Sequence, residues 1–192
     1  MKKTSFCSSM KKNFLIKTIE YNNHQITFSQ LLETFFYFIE NLKVSLETVT
    51  KFMENKNKIR GEFKKKLIME YLLIPPVSPF ALECFLGTNN IFAGIKMIEN
   101  KLYYKFLTQK AIRDHLPQLT LCFDDCFKIE NPLIPIGKVF IAHHEEFLQA
   151  LKFKLIEETK EVLYSKNLEE LQEELGDVYG LLLTIQEYYP SL

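Results

Sequence analysis

The pattern of apolar and polar positions in the first third of the chain indicates a hairpin followed by a long helix. Residues 14–21 and 24–28 are rich in β-branched and aromatic side chains, and Asn22 and Asn23 between them are typical turn residues. Over residues 29–53, apolar side chains recur every three or four positions, which is the spacing of an amphipathic helix. We therefore predict a short β-hairpin and then one helix.

The middle of the chain contains polar and proline-containing breaks. A polar break at residues 56–60 precedes a segment with helical spacing over residues 61–73. Pro75 and Pro76 would end this helix, because proline cannot donate the backbone hydrogen bond that a helix needs. Residues 91–107 fit a helical or mixed structure. Further predicted features are a short helix over residues 80–86, a turn over residues 87–90, a loop over residues 131–138 and a short extended stretch over residues 138–142.

The strongest pattern in the chain is a helical hairpin at its C-terminal end. We predict helices over residues 143–164 and 168–188. Only residues 165–167 join them, and Asn167 with Glu170 fits a helix N-cap and its capping partner. So short a connection makes the two helices antiparallel neighbours.

Carboxylates border the seam along which these two helices would pack. Glu158 falls inside the apolar stripe of the first helix, and a buried carboxylate is costly unless it is paired or binds a metal. Glu161 lies one turn further on. On the second helix, Glu174 and Asp177 flank the apolar stripe. Folding the hairpin about Lys166 brings Glu158 level with Glu174, and the other two carboxylates fall within about one turn of that level.

Four carboxylates at one height of a helix pair would repel one another, so the pattern predicts a neutralising cation. Hard divalent ions with oxygen ligands are the natural choice, with Mg²⁺ first and Mn²⁺ as the alternative. Such ions also bind phosphate oxygens, which favours phosphate-ester or phosphoanhydride chemistry. The alternative interpretation is a solvated charged face, because acid-rich helices with leucine stripes are common.

Two sequence motifs carry a resemblance to a known family. Residues 157–161 (EETKE) and residues 174–177 (ELGD) resemble the EExxE…ExxD signature of the MazG-like, all-α nucleotide pyrophosphohydrolases. Residues 110–119 (KAIRDHLPQL) are similar to the KLVRDKIPEI segment of the phosphoribosyl-ATP pyrophosphohydrolase-like branch. The resemblance covers residues 105–189. It departs from the family pattern in two respects. That segment usually lies near the N-terminus, and here a long region precedes it; within the segment, Ala111 and His115 replace commoner residues and Gln118 replaces an acid.

The resemblance implies a fold, a reaction and a set of site residues. Family members cleave a nucleoside triphosphate between the α and β phosphates, which releases a monophosphate and pyrophosphate. The implied Mg²⁺ ligands are Glu158, Glu161, Glu174 and Asp177. The implied catalytic carboxylates are Glu157, Glu158 and Glu161. The implied phosphate-contacting residues are Lys154, Arg113 and Lys110, although Arg113 and Asp114 equally fit an ion pair that anchors their segment. Family members usually act as homodimers or homotetramers.

Composition and charge restrict the compartment and the partners. The formal net charge is zero, so no global basic field exists to attract nucleic acid or an anionic membrane. Four cysteines are too few for a disulfide scaffold at this length, and no secretory signal or membrane-spanning run is evident. We therefore expect a cytoplasmic protein that binds neither nucleic acid nor membrane.

These observations predict a mostly all-α protein in two parts. Residues 1–100 would form a helical N-terminal region of unknown role, with the short β-hairpin. Residues 101–192 would form a MazG-like antiparallel helical bundle that hydrolyses nucleotides, with a house-cleaning role. Two alternatives stay open, namely a non-catalytic helical scaffold whose N-terminal region binds a protein partner, and a phosphoribosyl-nucleotide pyrophosphohydrolase. The sequence leaves the preferred base and sugar undetermined.

Overall fold

The computed structural model describes residues 2–74, 91–98, 101–115 and 137–188. The predicted short helix over residues 80–86, the turn over residues 87–90 and most of the loop over residues 131–138 lie outside these ranges. The chain divides into two compact units, which are Met1–Ile59 with Leu151–Leu192, and Arg60–Ala150. We call them the helical unit and the β unit. No helix in the described ranges has the combination of length and apolarity needed to cross a bilayer.

Helices predominate, as predicted, but a small antiparallel sheet accompanies them. The five described helices are α1 (Lys2–Asn22), α2 (Phe28–Asn41), α3 (Leu46–Arg60), α4 (His144–Tyr164) and α5 (Leu168–Tyr188). The four described strands are β1 (Leu67–Ile74), β2 (Ile91–Ile98), β3 (Lys101–Ala111) and β4 (Gly137–Ile141). The expectation of a mostly all-α protein is therefore roughly consistent with the structure, and the four-stranded sheet goes beyond the short β-hairpin that was predicted.

The predicted C-terminal hairpin is confirmed as α4 and α5. The backbone N–H of Glu170 donates to Asn167 Oδ1 at 2.9 Å, and the N–H of Lys166 donates to Glu170 Oε2 at 2.7 Å. These bonds satisfy donors that the start of a helix leaves without intrahelical partners. The two apolar stripes are buried over most of their length, with Leu151, Leu155, Val162, Leu175, Val178 and Leu182 almost fully inaccessible to solvent.

The hairpin predicted near residues 14–28 is wrong, because the chain there is helical. Helix α1 continues to Asn22 and buries Phe14, Thr18 and Tyr21 on one face. Phe14 stacks on Phe38 of α2 with ring centroids 5.0 Å apart. Packing of this face outweighs the modest β preference of the branched side chains, since propensity is a weak prior against tertiary contacts.

The single helix predicted for residues 29–53 is two helices. Thr27 caps α2 with a capping box, in which Gln30 N donates to Thr27 Oγ1 at 3.3 Å. The chain leaves α2 through Lys43, whose φ of 57° is left-handed, and Ser45 then caps α3. Helix α3 runs through the predicted polar break and ends at Arg60.

Helix α1 also contacts the C-terminal hairpin through polar groups. Lys11 Nζ donates to the carbonyl of Ser165 at 3.0 Å and to Ser165 Oγ at 2.7 Å. Because these acceptors lie just after the end of α4, the lysine charge is favourably placed against the helix dipole. Thr18 and Thr159 are buried side by side, with their hydroxyls 3.4 Å apart. The N-terminal helices and the acidic hairpin therefore share one core.

The helix predicted over residues 61–73 is wrong, because this segment contains the central strand β1. The sheet has the order β2-β3-β1-β4 with antiparallel neighbours. Ile68 and Leu73 of β1 are buried, and a short apolar run of this kind does not distinguish strand from helix by periodicity. The extended stretch predicted over residues 138–142 corresponds to β4.

The observed division of the chain differs from the boundary expected near residue 100. Ile98 and Lys101, on either side of that boundary, pair in the antiparallel ladder of β2 and β3. The β unit is instead one continuous segment, and the chain on both sides of it builds the helical unit. The predicted module and the predicted N-terminal region therefore each contribute to both units.

Candidate metal centre

The acidic hairpin places carboxylates in its buried seam. Glu158 follows Leu155 by three positions on α4 and is 6% exposed, as is Asp177 on α5. Glu174 precedes Asp177 by one turn and is half-buried. One carboxylate oxygen from each of these three residues lies within 4.8 Å of the other two. The sequence prediction that these residues come level across the hairpin matches this geometry.

Glu161 joins the same group from the solvent side. It lies one turn after Glu158 on α4 and is exposed. Its side chain interacts with those of both Glu158 and Glu174. The four residues predicted as metal ligands are thus in one cluster. Glu158 and Asp177 are buried, Glu174 is half-buried and Glu161 is exposed.

Two lysines form ion pairs with different carboxylates of this cluster. Lys154, one turn before Glu158 on α4, forms an ion pair with Glu158 and a second one with Glu157 at 3.4 Å. Lys56, on α3, forms an ion pair with Asp177 and a second one with Glu173 at 3.1 Å. Lys154 was predicted to lie at the site, and the structure places it there.

Lys56 was not predicted from the sequence. It falls in a segment that reads as a polar break after a helix, and no sequence spacing relates residue 56 to residue 177. The only sequence signal was the excess of acids over bases on the hairpin, which indicates that a cation must come from elsewhere. The helix supplying that cation is determined by tertiary packing.

A close helix contact positions Lys56. A Cβ built on Gly176 of α5 would lie 3.0 Å from the backbone nitrogen of Met53 and 3.1 Å from Cβ of Phe52. Glycine at this position therefore allows α3 to approach α5 more closely than a side chain would permit. Lys56 lies about one turn beyond this contact, from which its side chain reaches Asp177.

Burial and mutual repulsion make the carboxylates hard to ionise. Burial raises the pKa of Glu158 to about 7; Lys154 opposes this shift, and Asp177 and Glu161 add to it. The pKa of Glu161 is raised by burial and by Glu174. The pKa of Glu174 is raised by burial, with Lys56 opposing the shift and Glu158 adding to it. The cluster therefore has more negative charge than two lysines neutralise.

The two lysines are correspondingly held in the charged form. Burial acts to lower the pKa of Lys56, but Asp177 and Glu173 outweigh it and raise the pKa above its ordinary value. Burial also acts to lower the pKa of Lys154, but the nearby carboxylates of Glu158 and Glu157 outweigh burial and raise this pKa above its ordinary value. Both ammonium groups are therefore permanent positive charges at this site near neutral pH.

The ligand set fits a hard divalent cation. The candidate group contains only carboxylates, and hard cations such as Mg²⁺ prefer oxygen ligands. Two oxygens on one Mg²⁺ lie at most about 4 Å apart, and two on one Ca²⁺ at most about 5 Å apart. The three oxygens lie within 4.8 Å of one another, a bound that is inside the limit for Ca²⁺ and beyond the limit for Mg²⁺, so binding of Mg²⁺ would require the carboxylates to move closer together.

The remaining predicted site residues, Arg113 and Lys110, belong to the β unit. Arg113 is buried, donates from Nη1 to the carbonyl of Gly61 at 3.3 Å, and stacks over Phe63 at 4.9 Å from the ring centroid. The neighbouring Asp114 carboxylate accepts the backbone N–H groups of Lys64 and Lys65 at 3.1 and 2.9 Å. These contacts anchor the segment within its unit, and the ion pair between Arg113 and Asp114 stays a prediction. Phosphate binding by Arg113 and Lys110 stays a prediction.

Comparison with family models, with curated proteins and with solved structures finds no match to this chain. The functional assignment therefore depends on the geometry of the cluster and on the motifs that it contains.

Proposed function

We propose that the helical unit is a Mg²⁺-dependent nucleotide pyrophosphohydrolase that cleaves the α–β phosphoanhydride of a nucleoside triphosphate. One observation supports this proposal above the others. The carboxylates of Glu158, Glu174 and Asp177 converge to within 4.8 Å in a largely buried seam. These are residues to which the resemblance assigns metal binding, and the chain folds so that helices far apart in sequence surround them.

Metal binding is assigned to the four carboxylates of the cluster. Glu158, Glu174 and Asp177 would hold the ion, with Glu161 as a fourth ligand from the open side. Bound Mg²⁺, or Mn²⁺ in its place, would polarise a phosphoryl oxygen and lower the pKa of a bound water. Glu157 would support the ligands from just outside the metal site or replace one of them, since it already shares Lys154 with Glu158.

Proton transfer is assigned to the exposed member of the cluster. In the proposed reaction, a water oxygen forms a bond to the α-phosphorus and the bond to the bridging oxygen breaks. The bridging oxygen leaves with the electron pair as part of pyrophosphate, and the water proton passes to a carboxylate. Glu161 is the candidate, because it is the exposed member of the cluster, where a water and an incoming substrate can reach its carboxylate.

Charge neutralisation of the substrate is assigned to Lys154. Its ammonium group is held against Glu157 and Glu158 at one edge of the cluster. A triphosphate bound there would bring several negative charges next to existing carboxylates, so a fixed cation at that edge lowers the repulsion. A phosphoribosyl-nucleotide would meet the same requirement, and a substrate comparison separates the two. The proposal includes a homodimeric or homotetrameric, cytoplasmic enzyme in a house-cleaning role.

The test is pyrophosphate release from a panel of canonical and modified nucleoside triphosphates and a phosphoribosyl-nucleotide, with Mg²⁺ and with chelator. Glu174→Gln removes one ligand charge and should lose activity by more than the roughly 10- to 100-fold that loss of an outer-shell partner costs. Glu187→Gln makes the same change at an exposed position of α5 and should leave the rate unchanged. Absence of release by folded wild-type protein would instead support the non-catalytic scaffold.

A further inference from the structure

Helix α3 supplies a cation that the acidic hairpin does not contain. Lys56 Nζ contacts Asp177 and lies 3.1 Å from Glu173 Oε1. The side chains of Lys56 and Asp177 are 14% and 9% exposed, so this is a largely desolvated ion pair. A desolvated lysine is costly unless its partners compensate, and here the partner is a candidate metal ligand.

We propose that Lys56 is an exchangeable counter-cation of the metal centre, which holds Asp177 when no metal is bound and binds the pyrophosphate moiety of the substrate when metal is bound. This inference rests on the proposed function and extends it to the N-terminal region, which had no assigned role. Lys56 would thus position the Asp177 carboxylate in the metal-free protein and bind phosphate in the metal-bound protein.

Lys56 and a bound metal ion would compete for one carboxylate, that of Asp177. A divalent cation that uses Asp177 as a ligand would meet the ammonium group of Lys56 on the same side chain. Two positive charges at such distances repel strongly in a partly desolvated site. Metal binding therefore displaces Lys56 Nζ from Asp177, and the lost ion pair subtracts from the metal affinity.

The displaced ammonium group of Lys56 can move to a new partner nearby. Lysine carries its charge on a flexible four-carbon stem, so Nζ moves several ångströms while the backbone of α3 stays in place. The close contact at Gly176 holds that backbone against α5. A pyrophosphate group bound to the metal would bring negatively charged oxygens next to the displaced ammonium group, and these oxygens would replace Asp177 as its partner.

The two lysines of the site differ in this respect. Lys154 is on the same helix as Glu158 and one turn away, so its pairing is a local property of α4. Lys56 comes from a different helix and pairs with a different carboxylate of the cluster, that of Asp177. The cluster therefore has two ammonium groups beside it, one from α4 and one from α3, and a bound pyrophosphate could contact both.

This mechanism predicts two affinities that change in opposite directions. In Lys56→Met, Mg²⁺ measured alone by titration calorimetry should bind several-fold more tightly than in wild type, because the competing cation is gone. Pyrophosphate measured at saturating Mg²⁺ should bind roughly 10- to 100-fold more weakly, which is the loss of one charge-assisted hydrogen bond. Lys56→Arg should retain most of the pyrophosphate affinity, since it keeps the charge and its donors.

Lys58→Met is the matched control, because it removes the same charge from an exposed position two residues along α3. It should change neither affinity, and thermal unfolding confirms that each variant is folded. A merely structural Lys56 would lower both affinities or neither, and either result would overturn the inference. Wild-type protein that binds neither ligand would overturn it together with the proposed function. Wild-type protein that binds both but hydrolyses no nucleotide would overturn the proposed function alone, and the two affinities would still decide the role of Lys56.

Discussion

At the scale of single residues, the cluster stores electrostatic repulsion that should be visible in the pH dependence of stability. Glu158 has a folded-state pKa of about 7 against an ordinary value of 4.5, and burial with neighbouring charges also raises the pKa of Glu161 and Glu174. A group whose pKa is raised in the folded state contributes stability below its unfolded pKa, and this contribution is lost as the pH rises through the folded value.

We therefore expect the chelator-treated protein to become less stable as the pH rises from about 5 to about 8. Added Mg²⁺ should remove most of this decline, because a bound cation favours the ionised carboxylates. Thermal unfolding across this range, with chelator and with Mg²⁺, is the measurement. A melting temperature that is constant or rises with pH in chelator would contradict the described electrostatics.

Glu161 should show a trade-off between stability and metal binding. Glu161→Gln removes one of the repelling charges from the open side of the cluster, so the metal-free protein should melt at a higher temperature near pH 8. The same change removes a proposed ligand and should weaken Mg²⁺ binding by at least about 10-fold. Calorimetry and thermal unfolding on one preparation test both signs. A lower melting temperature of the metal-free variant would show that the Glu161 carboxylate stabilises the fold and does not destabilise it by repulsion.

At the scale of elements, the approach of α3 to α5 depends on one glycine. In Gly176→Ala, the added Cβ would be 3.0 Å from backbone nitrogen of Met53, and backbone cannot rotate away as a side chain can. We expect a loss of about 1–3 kcal/mol in unfolding free energy from overpacking, partly offset by the better helix propensity of alanine. Denaturant unfolding measures this loss, and an unchanged or increased stability would contradict the close contact.

The same scale shows what sequence patterns can and cannot determine. The limits of α4 and α5 follow from long leucine stripes and from the Asn167 cap, and both signals are local. The levels of Glu158 and Glu174 follow from helix rise and the length of the turn. By contrast, β1 is defined by pairing with β3 and β4, which are distant in sequence, so its short apolar run was ambiguous.

Other features depend on packing between segments that are far apart in the chain. The β-branched side chains of α1 favoured a strand locally, and the aromatic core that makes it a helix includes Phe14 and Phe38. Lys56 pairs with Asp177 across 121 positions, and no local pattern indicates this contact. The acidic half of the site was therefore predictable from the sequence, and the basic contribution from α3 was not.

At the scale of the whole molecule, the chain builds two units whose residues have separable roles. The acidic cluster and both of its lysines belong to the helical unit. Arg113, which the family resemblance also connects with phosphate, is buried in the β unit against Gly61 and Phe63. Its contacts favour a structural role, and this difference can be measured.

Arg113→Met should therefore lower the thermal stability and leave Mg²⁺ affinity and KM close to the wild-type values. The expected loss is on the order of 1–3 kcal/mol, because the Gly61 carbonyl would lose a buried charged donor. Unfolding and steady-state kinetics on the same variant distinguish the two roles. A large rise in KM with unchanged stability would show instead that Arg113 contacts the substrate phosphates.

The central claim is that the carboxylate cluster directs hydrolysis of the α–β phosphoanhydride, and phosphorus NMR of the reaction products tests it most directly. Wild-type protein incubated with a nucleoside triphosphate and Mg²⁺ should give a nucleoside monophosphate and pyrophosphate, and chelator or Asp177→Asn should abolish both signals. A nucleoside diphosphate with inorganic phosphate, or an unchanged triphosphate in the presence of folded protein and Mg²⁺, would contradict the claim.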